Sequence, residues 1–142
     1  MNQADLQSLA RERLLDAEAL ISTGRWSFAY YAAGYAVECA LKSCLLSRMV
    51  KTGWVFQDAA NIKDCRTHDF RQLVRLSGLE DELGARRLGE ARFAANWDRT
   101  VRWKVSDRYS NRSEATEAEA REIYAAITDE TDGVLTWIMT FW

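Results

Sequence analysis

His68 is the one histidine of the chain, and it stands in the run Asp64-Cys65-Arg66-Thr67-His68-Asp69 beside a thiol and carboxylates. An imidazole there has three chemical uses: proton transfer near neutral pH, metal ligation, or a hydrogen bond at a helix start. Ligation by Cys65, His68 and Asp64 or Asp69 lacks the second spaced pair that metal sites ordinarily show, so no metal is expected. The structural use leads, because Thr67 and Asp69 mark a helix start, where a side chain that bonds a backbone group is useful. The second cluster is Trp97, Arg99, Arg102, Trp103, Lys104, Arg108, Tyr109 and Arg112, in which bases interleave with aromatics. Cationic side chains pair with phosphates and flat rings stack on bases, which suits single-stranded RNA or a nucleotide; the same rings also suit ordinary core packing. Arg108 and Arg112 are the expected ligand contacts, with Arg102, Lys104 and Tyr109 behind them. No Gly-rich phosphate loop, Ser-His-Asp set or paired-cysteine zinc pattern accompanies them, and no cofactor is expected.

The net charge of −2 conceals an asymmetry. From Arg86 to Arg112 there are eight bases against Glu90, Asp98 and Asp107, whereas Glu114 to Asp132 holds seven acids and only Arg121. The basic segment either meets a polyanion or neutralises the acidic helix of its own chain. Cys39, Cys44 and Cys65 form an odd set without metal-type spacing, and reduced thiols in a cytoplasmic protein are the simpler reading. The N-terminal stretch mixes acids and bases in an amphipathic pattern, which predicts neither export nor membrane anchoring.

The elements that must hold these groups are helical. The chain of 142 residues contains no proline and seven glycines, and 48% of it is hydrophobic, which favours one all-α domain over residues 1–142. Leu6, Ala10, Leu14, Ala17 and Ile21 recur at helical spacing from about Ala4 to Ser22, with Gly24 suited to a left-handed cap. Trp26 to Leu46 is apolar or small on nearly every side, interrupted by Glu38 and Lys42 at i,i+4, which predicts a central helix with one wet stripe. Small residues such as Ala29, Ala33, Gly34 and Ala36 allow another backbone to approach closely. The remaining apolar girdle predicts a second copy to cover it. Periodicity fails from about Thr52 to Thr67, where Trp54, Val55 and Phe56 are expected to fold back on the core. A short helix then ends at Gly78, and another is predicted from Glu80 to Ala95 using Leu83, Leu88, Ala91 and Ala95. Val101, Trp103 and Val105 alternate with polar residues as a short extended run would. Thr116 with Glu119 makes a capping box for a last helix, whose apolar face carries Ala120, Ile123, Ile127, Val134, Ile138 and Phe141 and which bends near Asp132-Gly133.

The run GRWSFAYYAAGYAVECALKSCLL, with its AGYAVECALK core, followed by a loop and then THDFRQLVRL, resembles the HEPN family. The resemblance implies an up-and-down bundle of four or five helices and commonly a homodimer. In many members it also implies a metal-independent RNA-cutting site shared across the dimer, built on an Arg, four to six residues, then a His. This chain departs from that pattern. Asn61, Ile62 and Lys63 occupy the positions where His68 would need an Arg, and no His follows Arg108 or Arg112. The resemblance therefore implies a non-catalytic member, and a small stand-alone member often works beside a nucleotidyltransferase in a toxin–antitoxin or defence pair. The enzyme alternative is a departed ribonuclease in which His68 or Tyr109 replaces the missing group and Arg108 steadies the phosphate. A third reading is an oligomeric adaptor.

Overall fold

The computed structural model describes residues 1–53, 64–109 and 115–142. Trp54, Val55 and Phe56, expected on the core, and the ligand candidate Arg112 lie outside the described residues. Those residues form seven α-helices and one 3-10 turn, with no strand among them. The helices are α1 (Gln3–Ser22), α2 (Trp26–Thr52), α3 (Phe70–Ser77), α4 (Glu80–Gly89), α5 (Ala91–Thr100), α6 (Glu117–Thr128) and α7 (Val134–Met139); the 3-10 turn is Val105–Tyr109.

α1 starts at Asn2, whose side chain accepts the Asp5 N–H while the Asp5 carboxylate accepts the Asn2 N–H, so each satisfies a donor the helix end would leave open. Gly24, at φ 75°, turns the chain straight into α2, and the two helices pack as a hairpin. α2 has 27 residues, about 40 Å of helix, and runs six residues past the expected Leu46 to stop at left-handed Gly53. It is the axis of the molecule, with α1, α3, α6, α7 and the 3-10 turn all packed on it. The wet stripe expected at Glu38 is corrected by this packing. Glu38 is only 2% exposed, because α3 and the residues before it close over that part of α2.

Gly34 shows why α2 carries small residues. A Cβ there would lie 2.2 Å from the Trp103 ring, so the indole can cross α2 only over a glycine. Trp103 then stacks on Phe70 of α3, with ring centroids 5.2 Å apart and planes within 6°. This explains the alternation at Val101, Trp103 and Val105 without a strand. Val101 caps α5, Trp103 turns inward, and Val105 opens the 3-10 turn.

Two of the five expected helices are each broken once. The helix expected over Glu80–Ala95 divides at Glu90, whose extended backbone (φ −133°, ψ 101°) lets α5 turn Phe93, Trp97 and Thr100 inward while α4 stays on the surface with no buried residue. Leu88, expected on the core face, is 92% exposed, and Ala91 and Ala95 face outward as well. The last helix opens with the Thr116–Glu119 capping box and breaks after Thr128. There Asp129 Oδ1 accepts the N–H groups of Thr131 and Asp132 in a tight turn. Ala120, Ile123, Ile127, Val134 and Ile138 are buried, as their spacing predicts, and Phe141 packs at the core's edge.

Candidate functional site

The basic segment divides into cations already engaged and cations left open. Arg86 bonds Asp132 at 3.0 Å and the Thr131 carbonyl at 2.9 Å, Arg87 pairs with Asp98, Arg92 with Asp129, and Arg99 with Glu122. Three of these four acids belong to the acidic C-terminal region, so neutralisation within the chain accounts for much of the charge asymmetry. Arg102, Lys104 and Arg108 make no ion pair among the described residues. They do not gather in one place.

Arg102 and Lys104 line a cleft of about 540 Å³ between the start of α2, the end of α5 and the start of α6. Ser27 and Tyr30 enter it from α2, Asp107 from the 3-10 turn, and Glu119, Glu122 and Ile123 from α6. Its acids are held locally. Asp107 Oδ2 accepts the Lys104 backbone N–H at 2.9 Å, Glu119 completes the α6 cap, and Glu122 holds Arg99. Burial, reinforced by Asp107 and Glu119, raises the Tyr30 hydroxyl above its ordinary pKa, so it remains a protonated donor. The cleft thus offers two cations without an ion pair among the described residues, and two hydroxyls, to an anionic oxygen. Three bases face three acids across it, so recognition depends on these contacts rather than on a strong field.

Arg108 and Tyr109 lie outside that cleft. The Arg108 guanidinium lies over the Tyr109 ring, 4.6 Å from its centroid, and the neighbouring Tyr31 hydroxyl is the chief cause raising the Arg108 pKa. Tyr109 is 75% exposed. Trp97 and Trp103 are buried, which removes both indoles from the expected stacking surface and assigns them to the core. On α2, Phe28, Tyr31 and Tyr35 are at least partly open and form a ladder with centroids 5.6 and 5.9 Å apart, the second pair stacked within 13°.

His68 is not the backbone cap its position suggested. Thr67 Oγ1 accepts the Asp69 N–H and Asp69 caps α3 by accepting from Gln72, while His68 Nδ1 lies 2.8 Å from Oε1 of buried Glu38. A carboxylate only accepts, so Nδ1 carries a proton, and in the neutral ring Nε2 is then the acceptor. Lys42 Nζ shares the same oxygen at 2.8 Å. Local spacing could not show this pair, since its members are 30 residues apart; the one available sign was an acid within an apolar helix. Ser27, Tyr30, Asp107, Glu119 and Glu122 were likewise missed, because the cleft is assembled from three separate segments. Among the described residues no group of three or more His, Cys, Asp or Glu side chains is placed to hold a metal ion, and no helix is long and apolar enough to cross a membrane.

Comparison with known families finds that the HEPN domain model matches residues 4–129. No curated protein and no solved structure matches the chain.

Proposed function

Since the chain belongs to the HEPN family, we propose that it is a non-catalytic HEPN domain that binds RNA or a nucleotide through its cleft, as a cytoplasmic component of a toxin–antitoxin or defence-type pair. The observation that carries the binding is the pair Arg102 and Lys104. Their neighbours Arg86, Arg87, Arg92 and Arg99 are used up in ion pairs, whereas these two side chains enter a cleft that also holds the Tyr30 and Ser27 hydroxyls. Such donors satisfy phosphate oxygens. The nucleotidyltransferase partner and the homodimer are inferred from family membership alone.

Fluorescence anisotropy with labelled single-stranded RNA, with free nucleotides as competitors, tests the binding. Replacing Arg102 and Lys104 together by Ala should weaken affinity by roughly a hundredfold or more, each charged hydrogen bond contributing about 1.5–3 kcal/mol. Unchanged affinity would remove the assignment.

One observation favours a second reading, the ribonuclease. His68 is held by Glu38 in the tautomer that leaves Nε2 open, an arrangement suited to general acid–base work. That reading requires metal-independent cleavage leaving 2′,3′-cyclic phosphate ends, and equal cleavage by a variant lacking both His68 and Tyr109 eliminates it.

A further inference from the structure

Two buried polar atoms where Trp103 crosses α2 have no hydrogen-bond partner among the described residues. One is a donor, the indole Nε1–H of Trp103, a residue 4% exposed; the other is an acceptor, Oε2 of Glu38, which is 2% exposed. Leaving either group dry and unpaired is costly, so protein interiors pair such atoms with other protein groups or with bound water.

Independent contacts bring the two atoms together. Trp103 Nε1 lies 2.3 Å from where a Cβ of Gly34 would stand, and Glu38 is one turn further along that face of α2, its Cβ about 5–6 Å from that point. A long side chain on a helix leans back over the turn before it, so the Glu38 carboxylate leans towards Gly34 and the indole above it. The residues leading into α3 touch both. Phe70 stacks on Trp103 with centroids 5.2 Å apart, and two residues earlier His68 holds Glu38 at 2.8 Å. Lys42 and His68 share Oε1, which leaves Oε2 for the indole.

Trp103 also stands in the chain between the two cations of the cleft, Arg102 and Lys104. A group that fixes the indole therefore fixes the backbone from which both cations reach out. The stack on Phe70 sets the plane of the ring but tolerates sliding within it, whereas a hydrogen bond from Nε1 is directional. We propose that Glu38 is a positioning residue for the cleft, acting through one bound water that accepts from Trp103 Nε1–H and donates to Glu38 Oε2. Two bonds of about 2.8–3.0 Å carry such a water across a gap too wide for a direct bond, and it has the two polar partners that a buried water needs. Glu38 itself touches no ligand. The role of Arg102 and Lys104 in binding rests on the function proposed above; the bridge does not.

Trp103→Phe keeps a ring over Gly34 and against Phe70 but has no N–H, so it identifies the Trp103 signal among the indole N–H signals of six tryptophans. In the natural chain that proton should exchange slowly with solvent and show an NMR cross-peak to a bound water. Glu38→Gln should move it, and should move the backbone amide signals of Arg102 and Lys104, but should not move those amides in a chain already carrying Trp103→Phe. Affinity for single-stranded RNA should fall about two- to tenfold in either variant, the range one hydrogen bond can transmit, and no further in the double variant. Three results each overturn the proposal: a Trp103 indole proton that exchanges freely or meets no bound water, amides of Arg102 and Lys104 that stay in place in Glu38→Gln, or losses of affinity that multiply in the double variant. A natural chain that binds no RNA removes the cleft reading alone, because the indole and amide signals still decide whether Glu38 positions the connection.

Discussion

Glu38 carries two partners on one oxygen and leaves Oε2 buried without a hydrogen bond among the described residues. Isolated burial of a carboxylate costs several kcal/mol, and here Lys42 and His68 offset it. Both partners stay partly in water, at 24% and 45% exposure, so the full penalty for breaking a buried pair does not apply. Glu38→Gln keeps an acceptor but removes the charge, and urea unfolding should show a loss of about 1–2 kcal/mol. Nitrogen-15 NMR of the neutral imidazole should show the proton on Nδ1; a proton on Nε2 would contradict the geometry. The cysteines give a second check at this scale. Burial pushes the Cys39 and Cys44 thiols up to about 11, leaving roughly one thiolate in a thousand at pH 8. A thiol reagent in the native state should therefore spare both, and reach them only on unfolding.

At the scale of elements, two junctions set the fold. The first is the crossing of Trp103 over α2. Gly34→Ala gains about 1 kcal/mol of helix propensity but forces the indole off its stack on Phe70, and such overpacking costs about 1–3 kcal/mol. A net loss of about 1 kcal/mol, a fall in Tm of roughly 3–6 °C, is expected by calorimetry. The second is the turn between α6 and α7. N–H bonds from Asp132 and Thr131, with Arg92 adding, hold the Asp129 carboxyl below its ordinary value of 3.8. A lowered native pKa means the fold favours the ionised form, so this contribution is complete above that ordinary value and is lost as pH falls through the native one. Asp129→Ala should lower Tm at neutral pH, and its deficit against the natural chain should shrink below about pH 4. Periodicity and caps made α1, α2, α3 and the start of α6 legible, since Ala10, Ala17, Phe70, Leu73 and the Thr116–Glu119 pair act within a few residues. The breaks at Glu90 and after Thr128 were harder to read. The first turns on which face of Phe93 and Trp97 meets a distant helix, and Leu88 gave the opposite signal.

For the whole molecule, the apolar girdle of α2 is covered by the chain itself. Among the described residues α1, α3, α6 and α7 enclose its middle, leaving Phe28 and Val50 exposed and Trp26, Tyr30, Tyr31, Tyr35, Leu46 and Met49 partly open. The physical ground on which the sequence asked for a second copy is thereby narrowed to these positions, and the proposed homodimer rests on family membership. Light scattering should then give twice the chain mass; a single-chain mass would withdraw the dimer without touching the cleft. Of the cleft itself, Arg102 and Lys104 were legible as bases within an aromatic stretch. Tyr30 and Ser27 were not, because nothing in a helix's own spacing says which side chains a distant turn will face. Central to the proposal is that two unpaired cations meet phosphate there. The most direct measurement is the salt dependence of single-stranded RNA binding by the natural chain and by the Arg102→Ala, Lys104→Ala variant. Two lost phosphate contacts should make the slope of log K against log salt shallower by about 1.4. Equal slopes would contradict the account.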